Sequence, residues 1–373
     1  MIAIRSVTLR EIRLPLRQPF RISSGTVEHR RILLLELEDR SGARAWAECV
    51  AAERPNYSPE TVDTAWLALG TWLVQAVLGR DFQSASQVHQ VLETEAAGHR
   101  MAKAALEMGA WGLEAEILGT SLATLLGGER RQVAVGVSLG IEDTPEALVQ
   151  RVHQAVEAGY RKIKLKIAPG SDVEFVRAVR HAVGPQVPLM VDANAAYDEA
   201  DTARLKELDA FDLTMVEQPL DREDLLRHAR LQERLETPIC LDESITSEDR
   251  AEDMIGLKAG RVINIKPGRV GGFTPSLAIH DRARNAGIPV WCGGMLESGI
   301  GRAYNVALAS LPNFTMPGDL SPSRRYWDED IVDPEWTMSS DGLVTVPWRS
   351  PGIGVQVRRS RVESLTIREE RYF

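Results

Sequence analysis

The sequence predicts a mixed α/β protein built on a (β/α)8 barrel, a modified TIM barrel, with an α+β capping domain. Three observations lead to this fold: 373 residues exceed one compact core of ordinary size, eight short apolar runs alternate with helical stretches, and both chain ends contain extended segments. Eight alternating units with short connections match a closed barrel of parallel strands. We expect the capping domain in residues 1–125, the barrel in 126–320, and a C-terminal segment in 321–373 that packs back on the capping domain.

The first third of the chain combines strands with helices. Residues 1–50 have the pattern of extended segments, with Asp39-Arg-Ser-Gly as the turn of a hairpin. Ser58-Pro59-Glu60 has the N-cap, the first-turn proline and the acidic first turn of a helix. Apolar periodicity then predicts a helix over residues 99–118 that ends before Gly119.

The predicted barrel strands begin near residue 132. In chain order they are VAVGVSL, KIKLKI, VPLMVDA, LTMVEQP, TPICLDE, RVINIKP, IPVWCGG and NFTMPGD. After the last of them, DGLVTVPWRSPGIGVQV returns to glycine, proline and short strands, which is why the C-terminal segment is assigned to the capping domain.

Composition argues against several classes of partner. Asp and Glu outnumber Lys and Arg by 53 to 44 and no basic block is present, so we do not expect a nucleic acid partner. The three cysteines lie far apart, which favours a reducing cytoplasm over a disulfide framework. The N-terminus alternates apolar and polar residues, and no window has the ~20 apolar residues of a membrane span, so we predict a soluble protein with no membrane partner.

Five charged residues recur once per β/α unit, at or just beyond the predicted strand ends. Lys166, Asp192, Glu217, Asp242 and Lys266 are separated by 26, 25, 25 and 24 residues. Barrels of this type build their active sites at the C-terminal strand ends, so we expect the five side chains at one mouth. Taken singly, an Asp after a strand is often only a helix N-cap and a Lys only a salt-bridge partner; the regular set favours a functional site.

The three carboxylates predict a metal site. Asp192, Glu217 and Asp242 would repel one another, and carboxylates are costly to bury without a positive partner. A divalent cation between them would remove that cost. A ligand set made only of oxygen favours a hard ion, so we predict Mg2+, with Mn2+ or Co2+ as substitutes, and not zinc.

The two outer lysines predict proton transfer at carbon. Strands 2 and 6 lie opposite each other in an eight-stranded barrel, so Lys166 and Lys266 should face each other across the mouth. A lysine base needs a pKa well below its ordinary ~10.4, and burial, a metal ion and a neighbouring cation such as Lys164 all lower it. A carbon next to a carboxylate could then lose its proton on one face, pass through an enediolate stabilised by the metal, and regain a proton on the other face. That reaction is racemisation.

The strand RKIKLKIAPG places three lysines on its inward face. Ile163, Leu165 and Ile167 alternate with them and should point outward to the helices. Over four residues at ~3.3 Å each, Lys162 should lie about 13 Å below Lys166, near the closed end of the barrel. We predict that Lys162 belongs to a structural ion pair.

Longer motifs resemble the enolase superfamily, in its muconate-lactonizing subgroup, whose sites pair a Lys base with Mg2+. They are Lys164-Leu-Lys166, Asp192-Ala-Asn194, Glu217-Gln-Pro, Asp242-Glu-Ser and Asn264-Ile-Lys266-Pro-Gly-Arg-Val-Gly-Gly. More narrowly, IKLKIAPG, INIKPGRVGG and VWCGGMLESGIGRA resemble the branch that contains N-acylamino acid racemases and o-succinylbenzoate synthases. The resemblance covers nearly the whole chain.

The resemblance implies a role for each site residue. It implies metal ligands at Asp192, Glu217 and Asp242, acid/base lysines at Lys166 and Lys266, and supporting roles for Lys164 and Asn194. It also implies that loops of the capping domain close the site. Substrate contacts are then expected from Phe20, Tyr57 and Ser138, although each of the two aromatic residues would equally suit local packing. A homo-oligomer such as an octamer is the quaternary structure common in the family.

Two activities remain open on this branch. One is racemisation of an N-acylated, and especially an N-succinylated, amino acid, which the motifs of strands 6 and 7 favour. The other is syn-dehydration to o-succinylbenzoate, and one enzyme can have both activities. Sugar-acid dehydratases are disfavoured because IPVWCGG has no histidine, and dipeptide epimerases because Gly318-Asp319-Leu320-Ser321 keeps only the first residue of an Asp-x-Asp pair. A barrel that only binds an acidic ligand is a third hypothesis.

Overall fold

The computed structural model describes the backbone of residues 1–22 and 25–373, and the side chains of residues 1–19 and 28–373. The N-terminal part is an antiparallel sheet packed against helices. Its strands are β1 (Ile2–Ile22), β2 (Gly25–Asp39), β3 (Arg44–Cys49) and β4 (Asp81–Phe82). Its helices are α1 (Val62–Ala68), α2 (Val74–Val77), α3 (Ala85–Glu95), α4 (Arg100–Leu118) and α5 (Leu122–Leu125), with a π-helical turn between α1 and α2.

Local signals in the sequence account for most boundaries in this part. The turn between β2 and β3 is where it was predicted, with Gly42 at φ +90° and its N–H donating to the Asp39 carbonyl. Helix α4 is also confirmed, and Gly119 follows it in the left-handed conformation. Helix α1 begins later than predicted, because the hydroxyl of Thr61 and not of Ser58 accepts the capping hydrogen bond, from the Thr64 N–H.

The barrel follows as alternating strands and helices. Its strands, after a short β5 (Gln132–Ala134), are β6 (Gly136–Leu139), β7 (Lys162–Lys166), β8 (Leu189–Asp192), β9 (Val216–Glu217), β10 (Ile239–Leu241), β11 (Val262–Ile265) and β12 (Val290–Cys292). Its helices are α6 (Pro145–Glu157), α7 (Val173–Val183), α8 (Thr202–Glu207), α9 (Leu225–Gln232), α10 (Glu248–Leu257), α11 (Pro267–Val270), α12 (Phe273–Asn285) and α13 (Gly299–Ala309). Strands β6 to β12 pair in chain order, and the pairs are parallel.

The eighth predicted strand, residues 313–319, closes the barrel without becoming a regular strand. Phe314 forms a parallel bridge with Val290 of β12, and Gly318 forms one with Val135 beside β6. Pro317 lies in this segment and has no N–H for a continuous ladder, which accounts for isolated bridges in place of a strand. The predicted barrel is therefore confirmed, with a bridging segment in the eighth position.

The C-terminal residues return to the N-terminal sheet. Their elements are β13 (Val332–Asp333), β14 (Leu343–Thr345), β15 (Gln356–Val357), α14 (Arg359–Leu365) and β16 (Thr366–Tyr372). Strand β16 pairs antiparallel with β1, while β14 pairs antiparallel with β5 at the base of the barrel. Nowhere in the described part of the chain is a helix long and apolar enough to cross a membrane.

Candidate active site

The strand ends bring the five predicted charged residues to one mouth of the barrel. Lys166, Asp192 and Glu217 are the last residues of β7, β8 and β9, whereas Asp242 and Lys266 directly follow β10 and β11. Neighbouring strands hold the first three level, because Lys166 is in register with Asp192 and Asp192 with Glu217. The parallel ladder itself thus assembles the cluster.

Each of the two outer lysines is paired with a carboxylate. The Nζ of Lys166 lies 2.6 Å from Oδ2 of Asp192, and the Nζ of Lys266 lies 2.7 Å from Oδ2 of Asp242. Burial disfavours the charge on Lys266, but the Asp242 carboxylate outweighs it and raises the pKa of Lys266 well above its ordinary value. The predicted lowering of this pKa is not found in this arrangement.

The three predicted metal ligands are buried, and two of them contact a further lysine, Lys164. Asp192, Glu217 and Asp242 are between 0% and 1% exposed. The Nζ of Lys164 lies 3.4 Å from Oδ2 of Asp192 and 3.2 Å from Oε2 of Glu217. Burial, followed by the charge of Asp192, raises the pKa of Glu217 to about 8. The positive charge near Glu217 therefore does not fully balance the negative charge of the neighbouring carboxylates.

The composition of the cluster fits a hard divalent cation. Its donors are carboxylate oxygens, and Oε2 of the adjacent Glu243 is buried with no hydrogen-bond partner among the described residues. Burial and the charge of Asp242 raise the pKa of Glu243 to about 7. The spacing is a different matter: in the part of the chain that the structure describes, no three His, Cys, Asp or Glu side chains converge closely enough to hold an ion. Lysine ammonium groups lie against the carboxylates instead.

Tyr57 reaches the cluster from the loop before α1. Its hydroxyl accepts hydrogen bonds from Nζ of Lys266 at 3.1 Å and Nη1 of Arg269 at 3.2 Å, and it donates to Asp242. Arg269 is itself buried and paired with Asp242. The structure therefore brings the predicted Tyr57 to the site. It adds Arg269, which was not predicted although it lies in the same INIKPGR motif as Lys266.

Asn194 also joins the cluster. Its Oδ1 accepts a hydrogen bond from Nζ of Lys166 at 2.6 Å, and its Nδ2 donates to Oε1 of Glu243 at 3.1 Å. Ser138 lies in register with Lys164, and its Oγ is buried without a hydrogen-bond partner in the described structure. The side chain of Phe20, the remaining predicted contact, lies outside the described residues.

Three more side chains position the predicted residues and were missed from the sequence. Asn264 donates to Oε1 of Glu217 at 2.7 Å, and Asp319 pairs with Lys164 at 2.6 Å. Gln218 accepts from the N–H groups of Asp242 and of Ser244, both at 3.1 Å. The sequence offered one indication of these three residues, which is their position. Each lies close along the chain to a predicted site residue or within one of the motifs quoted above.

The prediction of an ion pair for Lys162 is wrong. Its Nζ has no hydrogen-bond partner among the described residues and lies 3.5 Å from the ring centre of Trp291. Burial lowers the pKa of Lys162 to about 8. At the closed end of the barrel, Lys162, Arg161, Thr214 and Met316 help to line a cavity of about 460 Å3, which is separate from the cluster at the mouth.

Two family models match the chain and together cover most of it. Residues 4–127 match the mandelate racemase / muconate lactonizing enzyme N-terminal domain. Residues 147–361 match the enolase C-terminal domain-like family. The chain belongs to the enolase superfamily.

Relatives within the enolase superfamily match along nearly the full length of the chain. An o-succinylbenzoate synthase of Geobacillus stearothermophilus is 47% identical over 365 residues, which cover 98% of this chain and 96% of the relative. An N-succinylamino acid racemase of Amycolatopsis sp is 48% identical over 352 residues, or 94% of each chain. A crystal structure of an enolase-superfamily protein from Listeria innocua has a TM-score of 0.96 and 38% identity, with both chains covered completely. The family predicted from the motifs is confirmed.

Proposed function

We propose that this protein is a divalent-metal-dependent racemase of N-acylamino acids, with N-succinylamino acids as substrates. One observation carries the proposal: Lys166 and Lys266 stand at the ends of two strands four apart in the barrel, with Asp192, Glu217 and Asp242 on the strand ends between them. The match to an N-succinylamino acid racemase over 94% of the chain supports the same reaction.

The proposed roles follow from the contacts. Asp192, Glu217 and Asp242 would hold Mg2+, or Mn2+ or Co2+ in its place. When bound, the ion would stabilise the negative charge that develops on the carboxylate oxygens of the substrate. Lys166 and Lys266 would remove the α-proton from one face and return a proton to the other.

Supporting roles are assigned to five other residues. Lys164, which contacts Glu217 and Asp319, would add positive charge beneath the substrate carboxylate. Asn194 would orient Lys166, and Tyr57 would orient Lys266. The Oγ of Ser138, which has no hydrogen-bond partner among the described residues, would bind substrate, and we keep Phe20 as a proposed contact from the capping region.

o-Succinylbenzoate synthase is the second candidate, and both activities can reside in this one enzyme. In the dehydration one lysine moves the proton while the other needs only its charge. Lys266 suits the second role because Asp242 keeps it protonated. A relative of that name is 47% identical over 98% of the chain. Dipeptides are less suitable substrates, since Asp319 is occupied by Lys164.

The remaining proposals concern the whole protein. We propose that its substrate is a small carboxylate and that it works as a cytoplasmic homo-oligomer, such as an octamer. The domain limits of 1–125, 126–320 and 321–373 likewise stay predictions.

Proton exchange in D2O tests the proposed function. With Mg2+ present, both enantiomers of an N-succinylamino acid should exchange the α-proton for deuterium, while Lys166→Arg and Lys266→Arg should each abolish racemisation. Formation of o-succinylbenzoate from its dehydration substrate, measured on the same preparation, separates the two candidates. Failure of the wild-type protein to exchange either enantiomer would contradict the racemase proposal, and a protein that only binds the ligand would behave in this way.

A further inference from the structure

The carboxamide of Asn194 lies between a cation and a carboxylate. Its Oδ1 is 2.6 Å from Nζ of Lys166, and its Nδ2 is 3.1 Å from Oε1 of Glu243. An amide oxygen can only accept a hydrogen bond and an amide nitrogen can only donate one. Lys166 and Glu243 therefore both favour the same orientation of the Asn194 amide. A flipped amide would place its N–H groups against the ammonium and its oxygen against the carboxylate.

Backbone contacts bring Asn194 to this position but leave its amide free to rotate. The residue follows β8 in the left-handed conformation, at φ +44°, and its N–H donates to Oδ1 of Asp192 at 3.0 Å. These contacts hold the main chain, whereas the amide at the end of the side chain is held by Lys166 and Glu243 alone among the described residues. Glu243 therefore supplies the anchor on the side away from Lys166.

Among the described residues, the carboxylate of Glu243 accepts one hydrogen bond, from Asn194. It is 6% exposed, and its Oε2 has no hydrogen-bond partner among the described residues. No salt bridge within the described part of the chain includes it, although an unpaired buried carboxylate is costly. Packing alone does not explain a carboxylate at this position, because an apolar side chain of the same length would fill the space without the cost of burying a charge.

We propose that Glu243 is a positioning residue for the half of the reaction that uses Lys166. It holds the Asn194 amide so that Oδ1 faces Lys166 and keeps Nζ aimed at the substrate. Lys266 is hydrogen-bonded to Tyr57 and Asp242, and Glu243 acts on it through charge without a hydrogen bond in the described structure, so loss of Glu243 should affect the Lys166-dependent enantiomer of the substrate more than the other. The inference rests on the proposed function, in which each lysine serves one face of the α-carbon.

Exchange of the α-proton in D2O, followed separately for each enantiomer of an N-succinylamino acid by NMR, tests the inference. Lys166→Met and Lys266→Met first identify which enantiomer depends on which lysine. Glu243→Met keeps the side-chain length but removes the acceptor. It should slow exchange of the Lys166-dependent enantiomer by about 10-fold more than exchange of the other enantiomer, because only the Lys166 side loses a chain of hydrogen bonds.

Further variants separate positioning from a general effect on the fold. Glu243→Gln keeps an oxygen that can accept from Asn194, so it should restore most of the exchange lost in Glu243→Met. Tyr57→Phe is the mirror control, because it removes a partner of Lys266 and should slow the opposite enantiomer. In an Asn194→Ala background, Glu243→Met should add no further loss, which shows that Glu243 acts through Asn194.

The outcomes distinguish this inference from the proposed function. Wild-type protein that exchanges neither enantiomer refutes both. Wild-type protein that exchanges both, together with Glu243→Met that slows the two enantiomers equally or not at all, refutes the role of Glu243 and leaves the racemase proposal standing. If Glu243→Met does not fold, Glu243→Ala takes its place and is judged by the same enantiomer ratio, because it also removes the acceptor of the Asn194 hydrogen bond.

Discussion

Three lysines on one face of β7 occupy three different environments. Lys166 contacts Asp192 and Asn194, while Lys164 lies among three carboxylates. Lys162 faces the ring of Trp291 and has no carboxylate partner in the described structure. Alternation along the strand predicted their shared inward direction, but the charge that each one meets depends on residues from distant strands.

The difference in stability between the wild-type protein and a Lys162→Met variant should depend on pH. Burial lowers the pKa of Lys162 to about 8, whereas in the unfolded chain it is near 10.4. The folded wild-type protein therefore prefers the neutral amine, and it should gain up to about 3 kcal/mol relative to Lys162→Met as the pH rises from 8 to 10.4. At pH 7 the variant should be at least as stable as wild type. The cation–π contact of Lys162 contributes only about 2 kcal/mol, which is less than the cost of burying the charged amine.

Urea unfolding at pH 7 and at several values up to pH 10 measures this difference. Lys103→Met is the matched control, since Lys103 is equally buried but is paired with Glu93 at 2.8 Å, and its loss should destabilise the protein at pH 7. A constant difference between wild type and Lys162→Met over the alkaline range would contradict the lowered pKa.

At the scale of elements, a single side chain joins the ends of β9 and β10. Gln218 follows β9 at φ +39° and is fully buried. Its Oε1 accepts from the N–H groups of Asp242 and Ser244, and its Nε2 donates to Oγ of Ser244 at 2.8 Å. The amide therefore sets the position of Asp242 relative to Glu217, which precedes it on β9.

Gln218→Met should weaken the binding of Mg2+ by about 10-fold or more, because Asp242 loses the contact that positions its backbone. Titration calorimetry with Mg2+ alone measures this without reference to activity. Gln232→Met is the control: Gln232 is also buried and bonds to Ile239 at the opposite end of β10, so its loss should reduce stability but not metal affinity. Equal Mg2+ affinity in both variants would show that Gln218 has no positioning role.

At the scale of the whole molecule, glutamates of the N-terminal part cap helices of the barrel. Glu48 of β3 accepts hydrogen bonds from the N–H groups of Ser298 and Gly301 at the start of α13. Glu107 of α4 accepts from the N–H of Phe273 at 2.7 Å at the start of α12. A Cβ at Gly272 would overlap the Glu107 carboxylate, so only glycine admits this contact. The first N–H groups of a helix have no hydrogen-bond acceptor within that helix, and here carboxylates from another part of the chain accept their hydrogen bonds.

Glu107→Met should destabilise the protein by about 2–4 kcal/mol, because it removes the acceptor of four hydrogen bonds, two of them from backbone N–H groups of α12. Thermal unfolding of the purified variant measures the loss. Glu114→Met on the same helix is the control, since among the described residues Glu114 accepts one hydrogen bond, from the Ala85 N–H within the N-terminal part. A loss no larger than that of the control would contradict the capping role.

The sequence alone was sufficient for the barrel and for its charged mouth. Strand and helix periodicity depends on residues close together in the chain, and parallel strands bring their C-terminal ends to the same side of the barrel. The charged residues at five strand ends could therefore be identified from the sequence: Lys166, Asp192, Glu217, Asp242 and Lys266. The eighth strand was placed correctly in the chain, but Pro317 and the isolated bridges around it altered its form.

The sequence by itself therefore determined which strand ends carry the charged residues of the mouth, whereas only the tertiary structure decided which partner each side chain meets. Glu243 reaches Lys166 through Asn194, Tyr57 reaches Lys266 from the N-terminal part, and Lys162 meets an aromatic ring in place of a carboxylate. The physical reason is the separation along the chain of the residues that interact. Periodicity is set by neighbours a few residues apart, while these contacts join residues that lie dozens to hundreds of positions apart and meet only when the barrel closes.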